Sequence, residues 1–504
     1  MHTATATTET ATAAEHRFRE PLLLIVAALA AFGASLTCSF HFDDYGIFSD
    51  PAATSPSGWL EVWGPLRTRP LTYLSFWLNY QAGSSAPLGY HAVNLALHIG
   101  VVLLLWELLR RMLPARPAWI AALLFAIHPI QSEPVAYVFA RAIIIAALLC
   151  LLAALAWIRG RPWIAVCFFA LALLGKEEAA AFPLALWLLD GARARQFKLP
   201  LLAMLLLSLA AGLHVMWVAA ALGESVGAGS GSSFWVYFAH QGAVILRYLR
   251  LVVLPWGFTV QPEIHRAWIN LLAWPLLGAL VWFSWKRNWR FLAIALVLLV
   301  PSSSIFPAAD LAADRRMYLP MLALAAGGGV LLSRLRRPWV AGIGAALILL
   351  SVGRMRVWQT ERSLWEEAVR ASPRAVRPKI QLARAVGGSG ALELLREAAE
   401  LAPEAPEVPS EMGRIHLQVG DPVKALESFG RALALAPSDP RALNNRGTAL
   451  LALGQHDAAA ADFKRALELD PCLFEARLNL RMGPGRNCRY TPEQRRSLDA
   501  AAVR

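Results

Sequence analysis

From about residue 20 to residue 353 the chain carries one long apolar run after another, each closed by a basic cluster or a short polar loop. Crossing hydrocarbon as a helix takes roughly 20 apolar residues. A chain with many such runs is constrained to a polytopic membrane helical bundle. After about residue 354 the character changes: the tail is charged, alanine-rich and free of such runs. The whole-chain figures carry the same contrast, with 57% hydrophobic and 16% charged residues over 504 positions and a mean hydropathy of +0.45. A soluble domain is nearer a quarter charged. The expected fold class is all-α, a membrane bundle followed by a soluble helical tail.

The apolar runs predict about 11 spans, near 21–39, 89–110, 117–132, 135–158, 162–175, 178–190, 199–222, 267–285, 290–306, 317–333 and 338–353. Basic clusters stand at Arg17/Arg19, Arg110/Arg111/Arg116, Arg159/Arg161, Arg193/Arg195/Lys198, Lys286/Arg287/Arg290 and Arg334/Arg336/Arg337. Placing all of them in the cytoplasm gives a cytoplasmic N-terminus and an outside C-terminus. Residues 234–254 are apolar enough to span but hold Arg247 and Arg250 in the middle. A twelfth crossing would invert the later clusters, so this segment reads as an interfacial or re-entrant helix. Residues 1–20, rich in Thr and Ala with no basic start, read as a disordered leader before a retained helix. The expected division is 1–20 leader, 21–353 membrane domain, 354–482 repeats and 483–504 tail.

The formal net charge is +13, and only six of the 48 basic residues are Lys. Arg-rich cytoplasmic loops account for this. The soluble part has no basic stripe interleaved with aromatics, which argues against a nucleic-acid partner. The Ala and Arg bias points to a bacterium with a GC-rich genome, hence to the inner membrane.

The tail repeats itself. Gly413, Gly420, Ala425, Phe429, Ala432 and Pro437 recur 34 residues later as Gly447, Gly454, Ala459, Phe463, Ala466 and Pro471. That period, with small residues where helices touch and a closing Pro, is the tetratricopeptide signature. Ala391, Leu395, Ala398 and Pro403 mark a degenerate earlier copy whose first helix is shortened around the GGSG at 387–390. The cysteines have no metal spacing. Cys38, Cys150 and Cys167 lie in or beside spans and read as buried small hydrophobes. Cys472 and Cys488 would form a disulfide if that end faces an oxidising compartment.

Under this topology the outward loops hold ionisable groups that an anchor does not need: Asp43 and Asp44, Arg67 and Arg69, His128, Gln131, Glu133 and Arg141, Lys176, Glu177 and Glu178, and Asp310, Asp314, Arg315 and Arg316 before Tyr318. Charge at membrane depth is costly and usually functional. A carboxylate beside an apolar wall can act as a general base. Adjacent loop residues point apart, so one of Asp43 and Asp44 would face the reaction while the other orients it or holds a divalent cation. His91, Asn94 and His98 fall on one helical face. Positions seven apart lie about 10.5 Å along the axis, too far for one ion, so a hydrogen-bonded interior stripe supporting the acid loop is expected.

Taken together, DDY after the first span, RPLTYLSFWLNY (69–80), GYHAVNLALH (89–98), FAIHPIQSEPVAYV (125–138), GKEE…P (175–183) and RRMYLP (315–320), ahead of 34-residue repeats, resemble one family. It is the GT-C type multi-span glycosyltransferases with tetratricopeptide tails, similar to the transmembrane-and-TPR O-mannosyltransferases and their bacterial relatives. The resemblance implies a sugar donor on a polyprenyl phosphate and a hydroxyl acceptor at the outer face, on protein or peptide by analogy with the repeats. It implies Asp43 as the base, assisted by Asp44, and Arg315 and Arg316 as phosphate ligands. Lys176 and Glu177 match the family's Lys-Glu pair, which implies Lys176 as a further ligand of the donor phosphate or a support of the loop's structure. The family usually carries an acid two residues after Arg141, and here that position is Ile143. Other readings are a non-catalytic membrane scaffold for the repeats and a lipid-linked polysaccharide ligase or polymerase.

Overall fold

The computed structural model describes residues 19–221, 234–263, 268–287, 289–303, 310–486, 488, 490 and 492–503. The expected leader lies almost wholly outside these residues. Among them every regular element is helical. The chain forms two compact units: Met1–Tyr45, Ser55–Val260 and Ile264–Thr360 in one, and Gly46–Thr54, Gln261–Glu263 and Glu361–Arg504 in the other.

In the first unit five helices are long and apolar enough to cross a membrane: Arg19–Thr37, Pro87–Leu109, Val138–Ile158, Lys198–Ala221 and Arg337–Val357. Others are shorter than their apolar runs suggest. The run expected at 117–132 is helical only over Ala115–Ile127, because His128 precedes Pro129 and takes an extended conformation. Within 178–190 only Phe182–Leu189 is α-helical, following a 3₁₀ turn at Glu177–Ala181. The segment read as interfacial or re-entrant is a helix over Phe234–Val253, and its Arg247 donates to Asp314 Oδ1 at 2.6 Å.

Packing uses small residues where helices cross. A Cβ on Gly329 would lie 2.5 Å from the Pro117 carbonyl, so Tyr318–Leu332 can approach Ala115–Ile127 only with glycine there. The connections divide between two ends of these helices. At one end Arg110, Arg111 and Arg159 converge on Glu107, and Arg116 Nη2 donates to the Leu335 carbonyl at 2.5 Å. At the other end lie the segments around Asp43, Tyr137, Lys176 and Arg315.

The second unit stacks paired helices, among them Val376–Val386 with Gly388–Leu401, Glu407–Gln418 with Pro422–Leu435, and Pro440–Ala452 with His456–Leu469. The spacing of small and aromatic residues has a direct steric cause. A Cβ on Gly413 would meet the Phe429 ring at 2.7 Å, and one on Gly447 the Phe463 ring at 2.6 Å. In the degenerate copy the first helix keeps 11 residues. The shortening falls in the turn, where Gly387 and Gly388 both take positive φ, 64° and 62°. Cys472 and Cys488 form a disulfide. Of the remaining cysteines, Cys38 and Cys150 are buried, whereas Cys167 is exposed on the surface of its helix.

Candidate active site

The first long helix ends in a 3₁₀ turn, Gly33–Thr37, and the chain then runs through His41, whose Nε2 lies 2.7 Å from the Trp358 carbonyl. Phe42 follows with φ 49°. A left-handed conformation at a bulky residue costs roughly 1–3 kcal/mol, and here it accompanies the divergence of the two acids after it. Asp43 lines a cavity of about 630 Å³. Asp44 is buried behind it. Its Oδ1 accepts from the Phe139 N–H at 2.7 Å, and its Oδ2 from the N–H groups of His41 at 3.0 Å and Val138 at 3.3 Å. Burial pushes the Asp44 carboxyl up to about 7, against those three bonds. Asp44 therefore braces the 41–44 and 137–139 segments together, behind the acid that lines the cavity. The pair does not present both carboxylates to one cation, since Asp44 does not line the cavity. Among the described residues no three His, Cys, Asp or Glu side chains cluster as a metal site.

Tyr137 donates its hydroxyl proton to Asp43 Oδ2 at 2.7 Å, and the Arg315 guanidinium lies over its ring, 5.7 Å from the centroid. Arg315 is held by two carboxylates, donating to Glu133 Oε1 at 2.6 Å and Asp310 Oδ2 at 2.9 Å. Arg316 is different. It is buried, donates to the carbonyls of Asp310 at 2.6 Å and Leu311 at 3.2 Å, and among the described residues no carboxylate stands within ion-pair distance of it. Both arginines line the cavity with Asp43.

The remaining polar wall consists of two more pairs. Arg69 Nε donates to Glu177 Oε2 at 2.9 Å, with a second bond between the same groups, and Lys176 Nζ lies 2.9 Å from Glu178 Oε1. Burial lowers the Lys176 ammonium pKa, partly countered by the charge of Glu178. The rest of the cavity is mainly apolar, with Leu184, Met216, Val297, Val300 and Pro301 beside Ser302. A separate cleft of about 240 Å³, lined by Leu108, Phe182, Leu186, Ile294 and Leu298, has Arg290 as its one charged lining residue and offers no acid or base.

The other predicted residues stand behind the cavity. His91 stacks on Phe40, with ring centroids 6.1 Å apart. Asn94 Nδ2 donates to the Tyr137 carbonyl at 3.3 Å and its Oδ1 accepts from Arg141 Nε at 2.7 Å. His98 Nδ1 lies 2.9 Å from the Tyr318 hydroxyl. Arg141 is fully buried and binds neutral acceptors, Asn79 Oδ1 at 2.6 Å and the Tyr90 carbonyl at 2.9 Å, with Phe76 4.9 Å from its guanidinium. Ile143 is buried too, so Arg141 is satisfied without the acid that the resemblance leads one to expect. The sequence did not mark out Tyr137 or Asn79. Tyr137 stands in the motif before Arg141, but an uncharged residue gave no signal of its own.

Residues 410–471 match the tetratricopeptide repeat family. The protein O-mannosyl-transferase TMTC3 of Mus musculus is 34% identical over 162 residues, 29% of this chain and 18% of that protein. The protein O-mannosyl-transferase Tmtc1 of Drosophila melanogaster is 42% identical over 119 residues, 22% of this chain and 14% of that protein. This chain is similar to the protein O-mannosyl-transferases. It spans less than a fifth of the length of these two relatives. A crystal structure of ArnT from Cupriavidus metallidurans bound to undecaprenyl phosphate aligns over 96% of this chain and 87% of that one, at 14% identity and a TM-score of 0.42, a weak likeness.

Proposed function

We propose that the chain is an integral membrane glycosyltransferase that moves a sugar from a polyprenyl-phosphate donor to a hydroxyl acceptor on protein. The names of its relatives support a transferase and make mannose the sugar to test first. The observation that carries the reading is that Asp43 and Arg316 line one cavity with an apolar wall. That wall suits the first units of a prenyl chain. The buried guanidinium lacks a carboxylate among the described residues, and a planar fork of donors suits a phosphate.

In this mechanism the acceptor oxygen attacks the anomeric carbon while its proton passes to Asp43. The bond from that carbon to the phosphate oxygen breaks, and its electron pair leaves on the lipid phosphate. Arg316 stabilises the charge that develops there. Attack opposite the leaving group inverts the anomeric centre. Arg315, already neutralised by Glu133 and Asp310, shapes the wall, and Asp44 fixes the loop that carries the base. The Arg69–Glu177 and Lys176–Glu178 pairs complete the polar lining.

Eleven crossings with the basic end in the cytoplasm would place this cavity at the outer face of a bacterial inner membrane, with the repeat unit outside. The Cys472–Cys488 disulfide supports that placement, since such bonds persist in oxidising compartments. The repeats would bring in the protein acceptor. The test is reconstitution of the full chain in liposomes with a radiolabelled polyprenyl-phosphate mannose and a Ser/Thr-containing peptide. Label should pass to the peptide. Absence of transfer from any polyprenyl-phosphate sugar, by protein that is folded and inserted, would count against the reading.

A further inference from the structure

Glu133, Tyr137 and Arg315 close a ring at the cavity wall, and Asp43 is bonded to it. Glu133 binds Arg315 through its carboxylate, and its carbonyl accepts from the Tyr137 N–H at 2.9 Å. The ring of Tyr137 carries Arg315, and its hydroxyl reaches Asp43. The tyrosine is fixed from several directions. Its ring stacks on Trp358 at 6.5 Å and meets Phe42 edge-on at 5.5 Å. Its carbonyl is held by Asn94, itself anchored by Arg141, and the next two residues donate their N–H groups to Asp44. Packing alone would be served equally by Phe. A hydroxyl aimed at the one cavity-lining aspartate is a polar feature that packing does not require.

We propose that Tyr137 is a positioning residue: its hydroxyl holds the Asp43 carboxylate by a hydrogen bond in a fixed orientation at the cavity wall, while its ring fixes Arg315 beside it. The role in transfer rests on the reading of Asp43 as the base; the hydrogen bond and its electrostatic effect do not. A donor bonded to a carboxylate favours the charged form. The charged groups around the pair are Asp44 behind it, Arg315 on the ring with its partners Glu133 and Asp310, and, lining the same cavity, Arg316 with the Lys176–Glu178 and Arg69–Glu177 pairs. None of them is altered by changing the phenol, so a change there reports on Asp43 directly.

The experiment labels the purified full chain with dicyclohexylcarbodiimide, which attacks protonated carboxyls, and quantifies the Asp43 adduct by mass spectrometry across pH. Asp43→Asn removes the adduct and so identifies it. Tyr137→Phe should move the labelling midpoint up by about one pH unit. Incorporation of 3-fluorotyrosine at 137, a more acidic and hence stronger donor that keeps the ring, should move it down, and this variant also serves if Tyr137→Phe fails to fold. Wild-type midpoints in folded protein for both changes would overturn the proposal. Its failure is distinguishable from that of the transferase reading: in the first case Asp43→Asn abolishes transfer while the midpoints stay still, and in the second the midpoints move while Asp43→Asn transfers normally.

Discussion

Arg315 and Glu133, far apart in the chain, meet with Nη1 2.6 Å from Oε1, and the Glu133 Oε2 also accepts the Arg315 backbone N–H at 3.1 Å. This double attachment, with Asp310 on the other side, neutralises Arg315 and leaves its neighbour Arg316 as the cavity cation held by neutral oxygens. Two adjacent arginines thus have different surroundings, one bound by two carboxylates and one by neutral oxygens.

The first prediction follows from that difference. Arg316→Gln should lower transfer about 100-fold, the usual scale for removing one donor to a developing oxyanion. It should leave thermal stability close to wild type, because its bonds to carbonyls can be partly kept by the amide. Transfer rate and melting temperature on the same reconstituted protein check both halves.

Glu133→Gln should instead act on stability. It removes the principal counter-charge of Arg315 while Asp310 remains, so the loss is expected at about 1–3 kcal/mol, the cost of leaving a buried polar group poorly satisfied. A fall in melting temperature in detergent, larger than that of Arg316→Gln, is the outcome to look for.

Glu177 gives a pH-dependent prediction. Burial alone would raise its carboxyl, but the charge and hydrogen bonds of Arg69 outweigh that and hold it at about 2, below the ordinary carboxylate value of about 4.3. A depressed folded-state pKa contributes stability that is complete above the ordinary value and is lost as pH falls through the folded one. The melting-temperature gap between wild type and Glu177→Gln should therefore be widest at neutral pH and close as pH falls from about 4 toward 2.

In the repeat unit, Gly447→Ala places a methyl where the Phe463 ring already lies 2.6 Å from the ideal Cβ position. Overpacking of this kind costs about 1–3 kcal/mol. Limited proteolysis of the full chain should show faster cleavage in the tail, with the membrane unit unaffected. Gly454→Ala, at a positive φ of 75° with open space around it, tests backbone strain without the clash.

How far the sequence could be read depended on whether the deciding interaction was periodic. The repeats were legible because Gly413 with Phe429 and Gly447 with Phe463 impose the same steric demand every 34 residues. The clustering of Asp43, Lys176, Glu177, Arg315 and Arg316 at one cavity could be anticipated because each sits at an element boundary between apolar runs. Helix ends inside those runs were less legible. Apolar composition continues through His128 and Pro129, while the backbone turns. That Asp43 and Asp44 point apart was legible from their adjacency; which of them lines the cavity is set by the backbone at Phe42 and the N–H groups of Val138 and Phe139. The same holds for Arg315 and Arg316, whose difference is made by Glu133.

The central claim is that the Asp43 carboxylate does the chemistry of sugar transfer. It is tested most directly by comparing glycoprotein profiles of a strain lacking this gene after complementation with wild type or with Asp43→Asn. The account predicts that the substituted protein reaches the membrane at wild-type level and restores none of the lost glycans. Full restoration by Asp43→Asn at equal expression would contradict it.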